Sequence, residues 1–244
     1  MPKFAILGDV HGNYEAFETV LGALRKESPD AIYFVGDVVG YGPDPDICLA
    51  KLKELGSTWV AGNHDWAVSG NLSLEYFNPY AREAVDWTVA KLSKEDIALL
   101  NQQKLITTVN GFTLSHSTLH APELFGYIDT LYAAYLCFEA METNIAFVGH
   151  SHIPVIFLQN ANDQSVAYTL QSETELSGWG KALVNVGSIG QPRDEDPRAA
   201  YCIYDSDKQI VRIERIEYDI KKTAQKIIDA GLPRVLAERL YVGR

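Results

Sequence analysis

The chain has 244 residues, a hydrophobic fraction of 47% and a formal net charge of -11, enough apolar material for one large α/β domain or two small ones. That acidic balance argues against nucleic acid and anionic membrane surfaces as partners, since both are held through clustered Lys and Arg. The three cysteines, Cys48, Cys137 and Cys202, are scattered without CxxC spacing, which argues against a disulfide framework and a thiolate zinc site.

The first apolar run, Phe4-Ala5-Ile6-Leu7, breaks at Asp9. It is too short for a signal-peptide core, and no stretch approaches transmembrane length, so a cytoplasmic protein is expected. Residues 3–9 read as a buried strand and 13–25 as a helix with apolar residues at helical spacing. Strands over 31–35 and 57–61 bracket a helix over 46–55. Strand, helix, strand, helix, strand at this pitch predicts a parallel sheet with right-handed crossovers. Residues 72–103 break the rhythm. Asn78-Pro79 and Ser93-Lys94-Glu95-Asp96 read as two helix starts, making this stretch a helical insertion in a single domain spanning residues 1–244.

Asn110-Gly111 marks a hairpin between strands at 105–109 and 112–115. A helix over 130–142 and a strand over 145–148 follow. Segments 155–158, 166–170, 182–186, 200–204 and 210–218 read as a run of antiparallel strands. Helices over 219–230 and 233–240 complete the pattern.

Five of these strands end in polar residues of one kind: Asp9 with His11, Asp37, Asn63 with His64, His116, and His150 with His152. The chain has six histidines, and five occupy those strand ends, with His120 alone in a nearby loop. In open α/β sheets the carboxyl ends of the strands form the binding crevice, so distant positions can converge there. Carboxylate, amide oxygen and imidazole together suit borderline divalent ions such as Mn, Fe, Zn, Co or Ni. Seven donors besides His64 exceed the needs of one ion. Two ions need a shared ligand, and Asp37, a carboxylate in the middle of the set, is the natural bridge. Ions about 3.5–4 Å apart serve in-line displacement at phosphorus, so phosphoester hydrolysis is the expected reaction.

The ordered set Gly8-Asp9-Val10-His11, Gly36-Asp37, Gly62-Asn63-His64-Asp65, His116 and Gly149-His150-Ser151-His152 resembles the motifs of the calcineurin-like metallophosphoesterase superfamily. Residues 185–193, Asn-Val-Gly-Ser-Ile-Gly-Gln-Pro-Arg, are similar to a later segment of its small prokaryotic phosphodiesterase-like group. The resemblance implies a sandwich of two mixed β-sheets flanked by helices. It implies Asp9, His11, Asp37 and His152 on one metal and Asp37, Asn63, His116 and His150 on the other. It also implies a metal-bridging hydroxide as nucleophile, with His64, positioned by Asp65, protonating the leaving oxygen or stabilising phosphoryl charge. The longer Gly-Asp-x-x-Asp-Arg-Gly motif of the superfamily's protein phosphatases is absent, since Val38-Val39-Gly40-Tyr41-Gly42 follows Asp37. That departure favours a small phosphate ester, of diester or nucleotide type.

Asn13, His120 and Arg193 are candidate substrate contacts, each with an ordinary alternative as helix cap, loop histidine or turn ion pair. Tyr41, Tyr76, Phe77 and Tyr80 could stack on a base or simply pack. The alternative functions are a phosphomonoesterase, a DNA exonuclease, and a non-catalytic metal-binding scaffold on the same fold. The exonuclease reading lacks the basic patch it needs.

Overall fold

A computed structural model describes residues 2–244. The first unit runs β1 (Lys3–Leu7), α1 (Tyr14–Glu27), β2 (Ala31–Phe34), α2 (Pro45–Leu55), β3 (Thr58–Trp59). These three strands pair in parallel, as the pitch of the sequence predicts. A short helix, α3 (Asn63–Val68), starts directly on the loop after β3. Between residues 72 and 103 lie a 3-10 turn and two helices, α4 (Pro79–Lys91) and α5 (Lys94–Asn101). Asn78 caps α4 through its side chain, with Pro79 in the first turn where its missing N–H costs nothing, and Ser93 caps α5.

β4 (Ile106–Val109) and β5 (Phe112–Ser115) form the expected hairpin. Asn110 and Gly111 both have positive φ there, 48° and 81°, as a two-residue turn of the right hand requires. Then come α6 (Leu131–Ala140), β6 (Ile145–Val148), β7 (Val155–Gln159), β8 (Val166–Thr169), β9 (Glu173–Glu175), β10 (Lys181–Asn185), β11 (Ala199–Asp205), β12 (Ile210–Ile216), α7 (Ile220–Asp229) and α8 (Arg234–Glu238).

The strands form two mixed six-stranded sheets, β3-β2-β1-β11-β12-β9 and β4-β5-β6-β10-β7-β8. Alternation along each strand builds the layers. Phe4 and Ile6 of β1 face the second sheet, where they meet Phe112, Phe147 and Ile156. Ala5 and Leu7 face the other way, onto Phe17, Leu21 and Leu49 of the helices. On the far side, Phe157 and Leu183 of the second sheet cover Cys137 and Phe138 of α6.

Two features depart from the sequence reading. The run from β7 to β12 is not uniformly antiparallel, because β10 inserts between β6 and β7 and runs parallel to β6. Four of its five residues are buried, and a strand apolar on both faces belongs inside a sheet. β9 is the second departure. It contributes only a short edge to the first sheet, and its sequence, Glu-Thr-Glu, carries no apolar alternation.

Candidate metal centre

Parallel pairing puts the carboxyl ends of β1, β2 and β3 at one edge of the first sheet, and those of β5, β6 and β10 at one edge of the second. The loops that leave these ends are laced together. His11 N–H donates to Asp37 O at 3.0 Å, Gly149 N–H to His116 O at 3.0 Å, and Gly190 N–H to Asp9 O at 2.8 Å. The amide of His150, from the second sheet, donates to the Asp9 carboxylate of the first at 3.2 Å. The centre therefore straddles both sheets.

All seven candidate ligands converge. Asp9 Oδ1 lies 3.2 Å from His152 Nε2 and 3.7 Å from His11 Nε2, and the two Nε2 atoms are 3.0 Å apart. On the other flank, His116 Nε2 lies 3.1 Å from Asn63 Oδ1 and 3.2 Å from His150 Nδ1. Asp37 Oδ2 stands between, 3.5 Å from His11 Nε2 and 3.4 Å from His116 Nε2. Five of the seven residues, Asp9, His11, Asp37, His150 and His152, hold positive φ between 50° and 68°, a conformation uncommon for non-glycine residues. Such strain persists only where the surroundings impose it, and it gathers at functional sites.

Hydrogen bonds fix which ring nitrogen faces inward. Nδ1 of His11, His116 and His152 donates to the carbonyls of Val39, Val35 and Gln191, at 3.2, 2.8 and 2.6 Å. A carbonyl only accepts, so each Nε2 of the neutral ring presents a lone pair to the cluster. Burial lowers His11 to about 3 and puts His152 and His150 well below the usual imidazole value. His116 is also pushed down by burial, but the Asp37 carboxylate outweighs this and raises it to about 9. Burial works to raise Asp37, yet His116, His64 and His11 hold it well below the carboxylate range. Two lone pairs facing each other at 3.0 Å, ringed by carboxylates, have no proton to share and fit a cation between them. The donor set therefore suits divalent metal ions, on both sides of Asp37.

The glycines of the motifs have a steric reason. A Cβ on Gly62 would run into the Asp37 carboxylate, and one on Gly149 into that of Asp9. Only backbone fits so close to the two acids.

Asp65 behaves differently from its expected role beside His64. Its carboxylate accepts four backbone N–H bonds: Asp37 at 2.8 Å, Gly62 at 3.0 Å, Val38 at 3.1 Å and Val39 at 3.3 Å. Burial and Asp37 push it up to about 7, against the pull of these amides. It shapes the loop that carries Asp37. His64 is instead packed among rings, 4.4 Å from Tyr41, 4.8 Å from His11 and 5.2 Å from Phe77 between centroids. One of its nitrogens lies within 4.8 Å of ligand atoms of His11 and Asp37. Its Nδ1 is buried without a partner, and burial lowers it to about 3.

Of the remaining candidates, Asn13 has both polar atoms of its side chain engaged within the fold. Its Oδ1 accepts from Ala16 N–H at 3.1 Å and Thr223 Oγ1 at 3.0 Å, and its Nδ2 donates to Gly190 O at 2.9 Å. His120 is exposed, and its Nδ1 meets Cys137 Sγ at 4.0 Å, outside the ligand groups. Arg193 does reach the centre's rim, its amide donating to His152 O at 3.3 Å. A cleft of about 270 Å³ opens beside Asn63, His64 and His150, with Tyr41, Tyr76, Phe77, Phe125 and Tyr127 in its walls. Tyr127 stacks on the His150 ring at 4.4 Å. Tyr127 and Phe125 went unread in the sequence, because they sit in a loop without periodicity. Tyr80 lies outside this lining and is 52% exposed.

Residues 2–154 match the family model described as calcineurin-like phosphoesterase. The chain belongs to that family. It is a phosphoric ester hydrolase of a family that works with divalent metal ions. Its curated relatives include an uncharacterized protein of Methanocaldococcus jannaschii, 36% identical over 244 residues and 98% of both chains. Among solved structures, a metallophosphoesterase from Sphaerobacter thermophilus superposes with a TM-score of 0.87 at 36% identity, covering 100% of this chain and 99% of that one. A symmetrical bis(5'-nucleosyl)-tetraphosphatase of Proteus mirabilis is 29% identical over 121 residues, 43% of each chain. The two mixed sheets flanked by helices are the metallophosphoesterase fold. Among the described residues, no helix is long and apolar enough to cross a membrane.

Proposed function

We propose that this phosphoesterase uses a dinuclear centre to hydrolyse phosphodiesters of nucleotide type. The observation that carries the reading is the position of Asp37 Oδ2, at 3.5 and 3.4 Å from His11 and His116, with a separate donor group on either side. Asp9, His11, Asp37 and His152 would hold one ion, and Asp37, Asn63, His116 and His150 the other. When bound, two such ions supply an activated water and spread the charge of the phosphoryl oxygens.

The chain's own residues do the rest. Asp65 holds the turn that aims Asp37. The carbonyls of Val39, Val35 and Gln191 keep the ring protons outside the cluster. His64, held neutral by burial, offers an N–H beside the ligands, which suits it to hydrogen-bond a phosphoryl or leaving oxygen. Tyr41 and Phe77 fix its ring. The aromatic cleft next to the ligands supports a flat group on the ester, since rings prefer to stack on rings. The tetraphosphatase of Proteus mirabilis, named for a nucleotide substrate, agrees with that choice. Leu72, Tyr76 and Phe77 make residues 72–103 a cap over the cleft in this reading.

Hydrolysis of a nucleoside 4-nitrophenyl phosphodiester by metal-loaded protein tests it. Asp37→Ala and a chelator should each abolish turnover. His64→Ala should lower turnover by on the order of 100-fold or more while metal content stays at the wild-type level. Activity that survives both Asp37→Ala and chelation refutes the dinuclear reading, and parallel loss of metal and turnover in His64→Ala removes His64 from the chemistry.

A further inference from the structure

The cleft beside Asn63, His64 and His150 has two jaws. Leu72, Tyr76 and Phe77 form one, and Leu124, Phe125 and Tyr127 the other. Each stands on a short 3-10 turn, Leu74–Tyr76 and Pro122–Leu124. In the first, Ser73 Oγ accepts from Glu75 N–H at 3.3 Å. Arg82 of α4 ties this turn down, Nε donating to Phe77 O at 2.8 Å and Nη2 to Glu75 O at 2.6 Å. In the second, Phe125 is held at a φ of 48° and is buried with its ring 5.6 Å from that of Trp66, while Ile128 is buried in the cluster around Phe138. Tyr127 is therefore pinned from both sides. Its ring lies nearly flat on His150, at 4.4 Å and 22°, yet the residue is 52% exposed. Tyr76 and Leu124 are 89% and 75% exposed. Large apolar side chains left open to water around a concave site mark a place for an apolar ligand surface.

The charge of the cleft is as informative as its shape. The described residues that line it include no Lys, Arg, Asp or Glu. Arg193 lies outside this lining, its Nη2 donating to Gln191 Oε1 at 2.9 Å and to Tyr41 Oη at 3.3 Å. Within residues 72–81 and 122–130 the charged side chains are Glu75, Glu123 and Asp129, all exposed. A phosphate placed between the jaws would shed water with no cation in the lining to replace it, beside segments whose own charges are negative. His64 also lines the cleft, so an oxygen that it bonds as it departs carries its group into the space between the jaws.

We propose that the two jaws clamp a flat, uncharged leaving group, so that the substrate is a diester with a single phosphate, and that Tyr127 sets this specificity by stacking on the leaving group's ring while resting on His150. This rests on the reading of the centre as a nucleotide phosphodiesterase and narrows it. A nucleoside is accepted as the leaving group, and a nucleoside that carries its own phosphates is rejected. Water supplies a hydroxyl to phosphorus and a proton to the leaving oxygen as the P–O bond breaks, giving a phosphate monoester and a neutral alcohol or phenol.

The test is calorimetric titration of metal-loaded protein, saturated with inorganic phosphate so that the centre is occupied, with adenosine and with ADP, the leaving groups of the accepted and rejected classes. Wild-type protein should bind adenosine at least about tenfold more tightly than ADP. Tyr127→Ala should weaken adenosine binding by about tenfold, the contribution of one aromatic stack, with metal content unchanged, and Tyr127→Phe should stay within about threefold of wild type. Leu124→Lys, which adds a cation at the exposed mouth, should bring ADP to within about threefold of adenosine. Three results overturn the proposal: wild-type protein that binds ADP as tightly as adenosine or does not bind adenosine, adenosine affinity untouched by Tyr127→Ala, and loss of metal in Tyr127→Ala. Failure of the wild type to hydrolyse the nitrophenyl diester bears on the function of the centre and leaves the affinity comparison readable.

Discussion

Asp65→Asn separates a loop-building carboxylate from one that orients His64. The wild-type carboxylate accepts two amides on each oxygen: Asp37 and Gly62 on Oδ2, and Val38 and Val39 on Oδ1. An asparagine keeps one oxygen and turns an NH2 group toward the other two amides, whichever way it flips. Two buried N–H groups then lose their acceptor and face a donor. A hydrogen bond to a charged group contributes about 1.5–3 kcal/mol, so the expected loss is about 3–6 kcal/mol. That is a large part of the 5–15 kcal/mol or so by which a domain is stable. The measurement is urea unfolding followed by tryptophan fluorescence, with metal ions bound and at about pH 8, above the value of about 7 to which burial and the Asp37 charge push Asp65, so that the carboxylate is charged. A parallel metal analysis should show weakened binding by the Asp37 loop. A loss below about 1 kcal/mol with unchanged metal content would refute the argument that these four bonds hold the loop.

Two further outcomes follow from the same geometry. On the proposed dinuclear reading, in which Asp37 is shared and Asp9 serves one flank, metal analysis after loading should find about two ions per wild-type chain, about one in Asp9→Asn and close to none in Asp37→Asn. Equal retention in the two variants would contradict the bridge. Glu15 on α1 is 8% exposed and meets Lys226 and Lys222 of α7 at 3.1 and 3.2 Å. Burial raises its pKa, but the two lysines outweigh this and hold it below the usual glutamate value. A folded value below the unfolded one gives stability that is complete above about pH 4.5 and lost as the pH falls through the folded value. Glu15→Gln should therefore cost about 1–3 kcal/mol at pH 7, and the gap to wild type should close in acid. A pH-independent gap in the unfolding curves would assign the loss to packing.

The ligand motifs were legible because each follows its strand directly. An apolar run ending in Gly-Asp or Gly-His names both the strand and the edge from which its side chains project, and period-2 burial makes such runs visible without knowledge of their neighbours. The parallel unit from β1 to β3, the Asn110-Gly111 hairpin and the shared role expected of Asp37 all rest on such local signals. What is non-local went unread. The parallel placement of β10 depends on which strands flank it, and that is settled by burial of both its faces within the second sheet. Asp65 stands next to His64 in sequence, yet α3 turns its carboxylate back onto the amides after β2. Asn13 was equally readable as a cap or a contact until Thr223 and Gly190, far along the chain, took up its remaining polar atoms.

The sequence by itself determined which donors gather at the strand ends: Asp9, Asp37, Asn63 and five of the six histidines. Tertiary structure decided the surroundings of those atoms. Asp37 stands between His11, from the first sheet, and His116, from the second, only because the two sheets pack face to face. Local patterns record the period of a strand or helix, and charges brought together by packing leave no trace in that period.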